Sequence, residues 1–132
     1  MSEILIDHVL LDRVTKAAKE SPRLRMNYNF HESLSSPSQR LLNALEPGTV
    51  LPIHRHRHTA ETYVLLRGRM RVLFYDDDKK EINRYELDPA EGTYGVNIPR
   101  GQWHTIEVVC AGTVIFEVKD GPYIPIAPND ML

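Results

Sequence analysis

Between residues 61 and 119 the chain is a succession of short apolar runs, each cut off by residues that turn the backbone, and this rhythm restricts the fold most. The runs are Glu61 to Leu66, Arg69 to Tyr75, Glu81 to Leu87, Gly95 to Ile98, His104 to Val109 and Thr113 to Lys119. Between them stand Arg67-Gly68, Asp76 to Lys80, Asp88 to Gly92, Pro99-Arg100-Gly101 and Ala111-Gly112. Such lengths suit strands, and the glycine, proline and aspartate clusters suit tight turns. The series predicts an all-β antiparallel sandwich or barrel of the jelly-roll type.

The residues before this series add one helix and two more strands. Leu10, Val14, Ala17 and Ala18 recur at helical spacing, with Asp7 as N-cap and Ser21-Pro22 as a stop, so 7–20 is expected to be a short N-terminal helix. From residue 23 the period changes to two. Leu24, Met26, Tyr28 and Phe30 alternate with Arg23, Arg25, Asn27, Asn29 and His31, which predicts a strand with one apolar and one polar face. Ser36-Pro37-Ser38-Gln39 reads as a capping box that could open a helix. Glu46-Pro47-Gly48 would end that helix after about two turns, so Gln39 to Leu45 is read as a strand.

The last segment, GPYIPIAPNDML, holds three of the nine prolines and is expected to run extended and irregular along the outside. The expected organisation is one domain over 1–132, with a barrel over about 23–119 and a tail over 120–132. A chain of 132 residues with 42% hydrophobic content suffices for one core.

Charge and hydropathy narrow the partners. A net charge of -2 gives no basic field for non-specific nucleic-acid binding, and no stretch approaches the roughly 20 apolar residues of a membrane span. The start, MSEILIDHVLLDRV, lacks a basic region followed by a long apolar run, and the expectation is a cytoplasmic protein without nucleic-acid or membrane partners. The one cysteine, Cys110, excludes an intramolecular disulfide and reads as a small buried hydrophobe at the end of a strand.

The segment GTVLPIHRHRHTAETYVLLRG carries the chemistry. His54 and His56 are two apart, so in extended backbone both imidazoles point one way while Arg55 points the other. Glu61 opens the following strand and is expected to lie across from them on a paired neighbour, which would give three ligands from one hairpin. His104, delivered by the turn Pro99-Arg100-Gly101, is a fourth ligand from a second hairpin facing the first. Three imidazoles and a carboxylate suit Mn, Fe, Co, Ni, Cu or Zn rather than Ca or Mg. His58 continues the alternation but falls where the turn must begin, which makes it a rim residue or a hydrogen-bond donor to the metal ligands.

Around these residues stand candidates for ligand contact. Arg25, Asn27, Asn29 and His31 share the polar face of one strand and could grip an anionic or hydroxylated molecule. Arg40, Lys119 and Tyr123 could join them. Tyr63 has the parity of Glu61 and is expected to point into the barrel, where its hydroxyl could reach a substrate. His31 and Tyr63 are the candidate catalytic side chains, His31 as proton carrier. Arg67, Arg69 and Arg71 are balanced by Asp76, Asp77, Asp78 and Glu81 and read as ordinary surface charge.

These motifs resemble the cupin superfamily. Gly48, His54, His56, Glu61 and Gly68 satisfy every position of the first cupin motif, and Gly92, Pro99, Gly101 and His104 resemble the second, with the first gap one residue longer than is commonest. Val108 stands where the second motif ends in asparagine. Nearly the whole chain is similar to the WbuC-type cupin metalloproteins, through Asn29 to Ser33, Gln39 to Gly48, Ile98 to His104 and Phe116 to Tyr123.

The resemblance implies a cupin-type β-barrel holding one divalent transition metal ion (Zn, Mn, Fe or Ni) in its mouth. It further implies a homodimer and an association with O-antigen and other surface-polysaccharide gene clusters. The functions it leaves open are a metal-dependent isomerase, epimerase or lyase acting on a sugar or nucleotide sugar, an iron-dependent dioxygenase, and a non-catalytic binder of a carbohydrate or of a carboxylate- or phosphate-bearing small molecule.

Overall fold

A computed structural model describes residues 2–132. The chain forms a helix, α1 (His8–Glu20), followed by β1 (Arg25–Asn29), β2 (Ser38–Leu45), β3 (Glu61–Arg67), β4 (Met70–Tyr75), β5 (Glu81–Leu87), β6 (Gly95–Ile98), β7 (Trp103–Val108) and β8 (Thr113–Asp120). Single 3-10 turns occupy Pro89–Glu91 and Pro128–Asp130. All strand pairs are antiparallel and make two sheets, β1-β2-β8-β3-β6 and β5-β4-β7. The all-β jelly-roll class and each strand between residues 61 and 119 stand as the turn punctuation predicts.

Helix α1 starts where Asp7 accepts a hydrogen bond from the Leu10 amide at 3.0 Å and stops at Ser21, ahead of Pro22. Its buried side chains Leu10, Leu11, Val14 and Ala18 meet Tyr28, Phe30, Leu42, Ala44, Val114 and Phe116 on the outer face of the larger sheet. Between the sheets lies a second cluster built from alternate residues of the strands, including Leu45, Tyr63, Leu65, Met70, Val72, Phe74, Ile98, Ile106 and Ile115. Val108 packs against this cluster as an apolar wall.

Two motif glycines have conformational reasons. Gly48 and Gly68 have φ of 98° and 90°, the left-handed region that costs a side chain. At Gly68 a Cβ would also lie 2.6 Å from the Cα of Thr113, so the turn from β3 to β4 admits no side chain.

Two expectations about connections are corrected. His54 and His56 lie in irregular backbone and do not form a hairpin with Glu61. His54 instead bridges His104, donating its amide to the His104 carbonyl at 3.0 Å and accepting the His104 amide at 2.9 Å. The turn at Pro99 to Gly101 closes no second hairpin, because β6 pairs with β3 in the larger sheet and β7 with β4 in the smaller. The chain therefore crosses between sheets there. The segment after β8 is irregular and largely exposed, and it is pinned near its end: Asp130 is buried, its carbonyl accepts from the Arg55 amide, and the Leu132 amide donates to the Ile53 carbonyl. It lies across the histidine segment.

Leu42 is fully buried between α1 and the larger sheet. Leu42→Ala is expected to cost about 2–5 kcal/mol in urea unfolding, and a loss below about 1 kcal/mol would place the helix off the sheet.

Candidate metal centre

The cross-sheet bridge sets the His54 and His104 rings 4.4 Å apart, and the His56 ring lies 5.1 Å from His54. The donor nitrogens of His54, His56 and His104 all lie within 4.8 Å of one another. Glu61 reaches the group from β3, with Oε1 2.7 Å from His56 Nε2 and Oε2 3.4 Å from His104 Nε2. The four side chains arrive on three supports. His104 is on β7, Glu61 on β3, and the two remaining histidines on the segment bridged to β7.

Hydrogen bonds orient the rings. His54 Nδ1 lies 2.8 Å from the Pro52 carbonyl, and His104 Nδ1 lies 2.9 Å from the Gln102 carbonyl. A carbonyl only accepts, so each Nδ1 carries the proton and each Nε2 presents a lone pair. His104 Nε2 is buried and has no hydrogen-bond partner among the described residues. An orphaned buried acceptor of this kind is costly unless something binds it. Burial, and then the nearby His104, hold the His54 imidazole down at about 4, so it is neutral at pH 7 and needs no proton removed before it ligates. These residues fit a divalent transition metal, with Glu61 as the anionic donor.

The two carboxylates are shifted in opposite directions. Burial raises the pKa of Glu61, but the close imidazoles of His104 and His56 and the charge of Lys119 outweigh it and hold the group well below its ordinary value. Tyr63, buried, donates its hydroxyl to Glu61 Oε2 at 2.8 Å, and burial followed by the Glu61 charge lifts its phenol well above 10. Glu117 is pushed up to about 7 by burial and then by the Glu61 charge, against the pull of Lys119. Lys119 Nζ lies between them, 3.6 Å from Glu61 Oε1 and 3.8 Å from Glu117 Oε2.

Sheet register sorts the other sequence candidates. Glu61, Lys119 and Gln39 are level with one another across β3, β8 and β2, and Tyr63, Glu117, Leu41 and Asn29 form the next row on the same face. Asn27 lies on that face too, level with Asn43 and Ile115, but β1 is the sheet edge and both Asn27 and Asn29 are exposed. Arg25 donates to the Thr49 hydroxyl and the Val50 carbonyl, tying down the loop after β2. Arg40 has the parity of Leu42 and faces the other side of the sheet, away from Glu61.

His31 is buried, with Nδ1 3.1 Å from the backbone nitrogen and carbonyl oxygen of Arg40. The strand pairing that continues past Asn29 leaves it three strand spacings from Glu61, roughly 14 Å along the sheet. Geometry brings together His54, His56, Glu61, Tyr63, His104 and Lys119, and leaves Arg25, Asn27, Asn29, His31 and Arg40 apart from them.

A cleft of about 110 Å³ opens beside His56 and Lys119, bounded by Arg55 to Thr59 on one side and by Asp120 to Ala127 on the other. Tyr123 and His58 are on its walls. Sequence reasoning missed three groups here: Glu117, Asp130, and the pair Arg55 and Arg57. Asp130 Oδ1 accepts from Arg55 Nε at 2.8 Å and Arg57 Nε at 2.6 Å, and hydrogen bonding from Arg55 lowers its pKa. The alternation HRHRH displayed the two arginines but not their carboxylate, because Asp130 lies 73 residues beyond Arg57.

The two antiparallel sheets form a cupin-type jelly-roll fold. The chain belongs to the family described as Domain of unknown function (DUF6016), which matches residues 6–87. No curated protein matches it in sequence. Among solved structures it is similar to TT1209 from Thermus thermophilus, at 20% identity and a TM-score of 0.63 over 88% of this chain and 95% of that one. It is also similar to the capsular polysaccharide assembling protein CapF from Staphylococcus aureus, at 22% identity and 0.59 over 83% of this chain and 30% of that one. The Cnp3 cupin domain of Schizosaccharomyces pombe matches at 10% identity and 0.58 over 73% of this chain and 64% of that one. The chain thus spans less than two thirds of the CapF and Cnp3 chains, and at these identities the likeness is one of fold.

The raised Glu117 gives a pH signature. Its unfolded pKa is near 4.5 and its folded value about 7, so the folded state holds an extra proton between them and loses stability as pH rises through that window. In chelator-treated protein, Glu117→Gln is expected to gain stability over the parent as pH rises from 5 to 8, on the order of 1–3 kcal/mol. The depressed His54 acts oppositely below about pH 6.5 but is common to both proteins and cancels in the difference. A difference that stays flat with pH would contradict the buried carboxyl.

Proposed function

We propose that this protein is a single-domain, WbuC-type cupin in which His54, His56, Glu61 and His104 hold one divalent transition metal. The observation that carries this reading is the buried, unpartnered His104 Nε2, which converges with two other imidazoles and one carboxylate. A bound ion would supply Lewis-acid polarisation of a substrate carbonyl or hydroxyl. Zn, Mn, Fe and Ni all suit the donor set.

The chain's own groups have defined parts in this reading. Tyr63, by donating to Glu61 Oε2, holds that carboxylate in orientation, which makes it a positioning residue and not the proton carrier. Lys119 borders both the cleft and Glu61 and would meet the polar end of a ligand. Tyr123, Ile124 and Ile126 offer the cleft an apolar wall for a sugar ring or its substituents. Likeness in fold to a capsular polysaccharide assembling protein supports a sugar or nucleotide-sugar intermediate of surface polysaccharide as ligand. We place the protein in the cytoplasm as a homodimer paired through the edge strand β1, where Met26 is exposed.

A non-catalytic binder is the second reading. It is favoured by the pairing of the acid–base groups among themselves, Tyr63 with Glu61 and Lys119 with Glu61 and Glu117. Incubation of metal-loaded protein with nucleotide sugars in deuterium oxide separates the two. Deuterium incorporated at substrate carbon supports an isomerase or epimerase, whereas a thermal shift without incorporation supports the binder.

Elemental analysis of protein purified without chelator is expected to show one transition metal per chain, falling below about a tenth in His104→Ala. Full metal content in that variant would overturn the site. Iron in the parent would favour dioxygen chemistry over proton transfer.

A further inference from the structure

Two of the three imidazoles belong to a segment that no sheet holds. Residues 55–60 form no strand, and His54 itself is held by one isolated bridge on each side, to His104 and to Met131. The Met131 side is part of a longer seam. Arg55 donates its amide to the Asp130 carbonyl at 3.0 Å, and Leu132 donates its amide to the Ile53 carbonyl at 2.7 Å. Asp130 then grips both arginines through one carboxylate oxygen, at 2.8 Å and 2.6 Å, and its side chain is 9% exposed. The Arg55 guanidinium is further stacked 4.4 Å from the centre of the Trp103 ring, next to His104.

Chain adjacency gives this seam its meaning. Arg55 follows His54 and, with Arg57, flanks His56, so fixing the two guanidinium groups and the Arg55 amide restrains the backbone that carries both imidazoles. A buried carboxylate with two arginine partners has a defined geometry, which surface ion pairs lack. The 3-10 turn Pro128–Asp130 presents that carboxylate, and the residues before it, Tyr123 to Ala127, form the wall of the cleft beside His56.

We propose that Asp130 is a positioning residue for the metal site: its clamp on Arg55 and Arg57 aligns His54 and His56, and couples metal occupancy to docking of segment 121–132. The inference rests on the reading of His54 and His56 as ligands. Coupling is reciprocal, so the factor by which the docked segment strengthens metal binding is the factor by which metal strengthens docking. One wall of the cleft would then be in place only when the metal site is assembled.

Zinc titration of the 132-residue chain, parent and Asp130→Ala, followed by calorimetry after chelator treatment, tests the clamp. Asp130→Ala is expected to weaken zinc binding about 10- to 100-fold, with Asp130→Asn, which keeps an oxygen acceptor, weakening it less. Amide hydrogen exchange on the unsubstituted protein gives an independent reading that no folding defect can confuse. Zinc is expected to slow exchange at the Arg55 and Leu132 amides about tenfold or more, the result required by reciprocity. Unchanged zinc affinity in Asp130→Ala, or exchange at those two amides indifferent to zinc, would overturn the clamp. Failure of the parent to bind zinc would instead strike at the ligand assignment itself.

Discussion

The backbone bridge between His54 and His104 is the constraint on which the site depends. Two hydrogen bonds of 3.0 Å and 2.9 Å join an irregular segment to the first residues of β7, and everything metal-related follows from that junction. It brings the imidazoles of both residues to one place. It also leaves each Nδ1 facing a carbonyl two residues back along its own chain, at Pro52 and Gln102. The tautomers are thereby set by backbone and not by the metal, and the free Nε2 atoms exist before any ligand arrives. Glu61, from the opposite sheet, supplies the one carboxylate among the donors.

Around that junction the protein separates two carboxylates that share an environment. Glu61 and Glu117 are both buried on the inner face of one sheet, in adjacent rows. The two close imidazoles, Lys119 and the Tyr63 hydroxyl keep Glu61 ionised, whereas Glu117, with Lys119 more distant and no such hydroxyl, takes up a proton near neutrality. Two like charges so placed cannot both be ionised without cost, and the difference in their hydrogen bonding decides which one is. The ionised carboxylate is the one placed to meet a cation.

Much of this was legible from residue order. Turn clusters at Arg67-Gly68, Asp76 to Lys80 and Pro99 to Gly101 carry local backbone chemistry, so strand positions could be read directly. Parity placed Tyr63 beside Glu61 and His54 on the side of His56, since alternation is a property of any extended segment. The pairing of elements was less accessible. Nothing local to His54 says that its partner is His104 and not Glu61, because that choice is made by the two-sheet topology. Asp130 was invisible for the same reason: it meets Arg57 across 73 residues, and its segment, rich in proline, read as a surface strap. His31 and Arg40 illustrate the converse error, since sharing a polar pattern with a binding strand does not bring a side chain to the barrel mouth.

X-ray absorption at the zinc edge of the zinc-loaded protein tests the ligand set most directly. The geometry predicts three imidazoles with nitrogen at about 2.0–2.1 Å and a carboxylate oxygen at about 2.0–2.2 Å, with no sulfur. The outer-shell scattering of the imidazole rings should count three. A spectrum with one imidazole or none, or with sulfur from Cys110 in the first shell, would contradict a site built from His54, His56, Glu61 and His104.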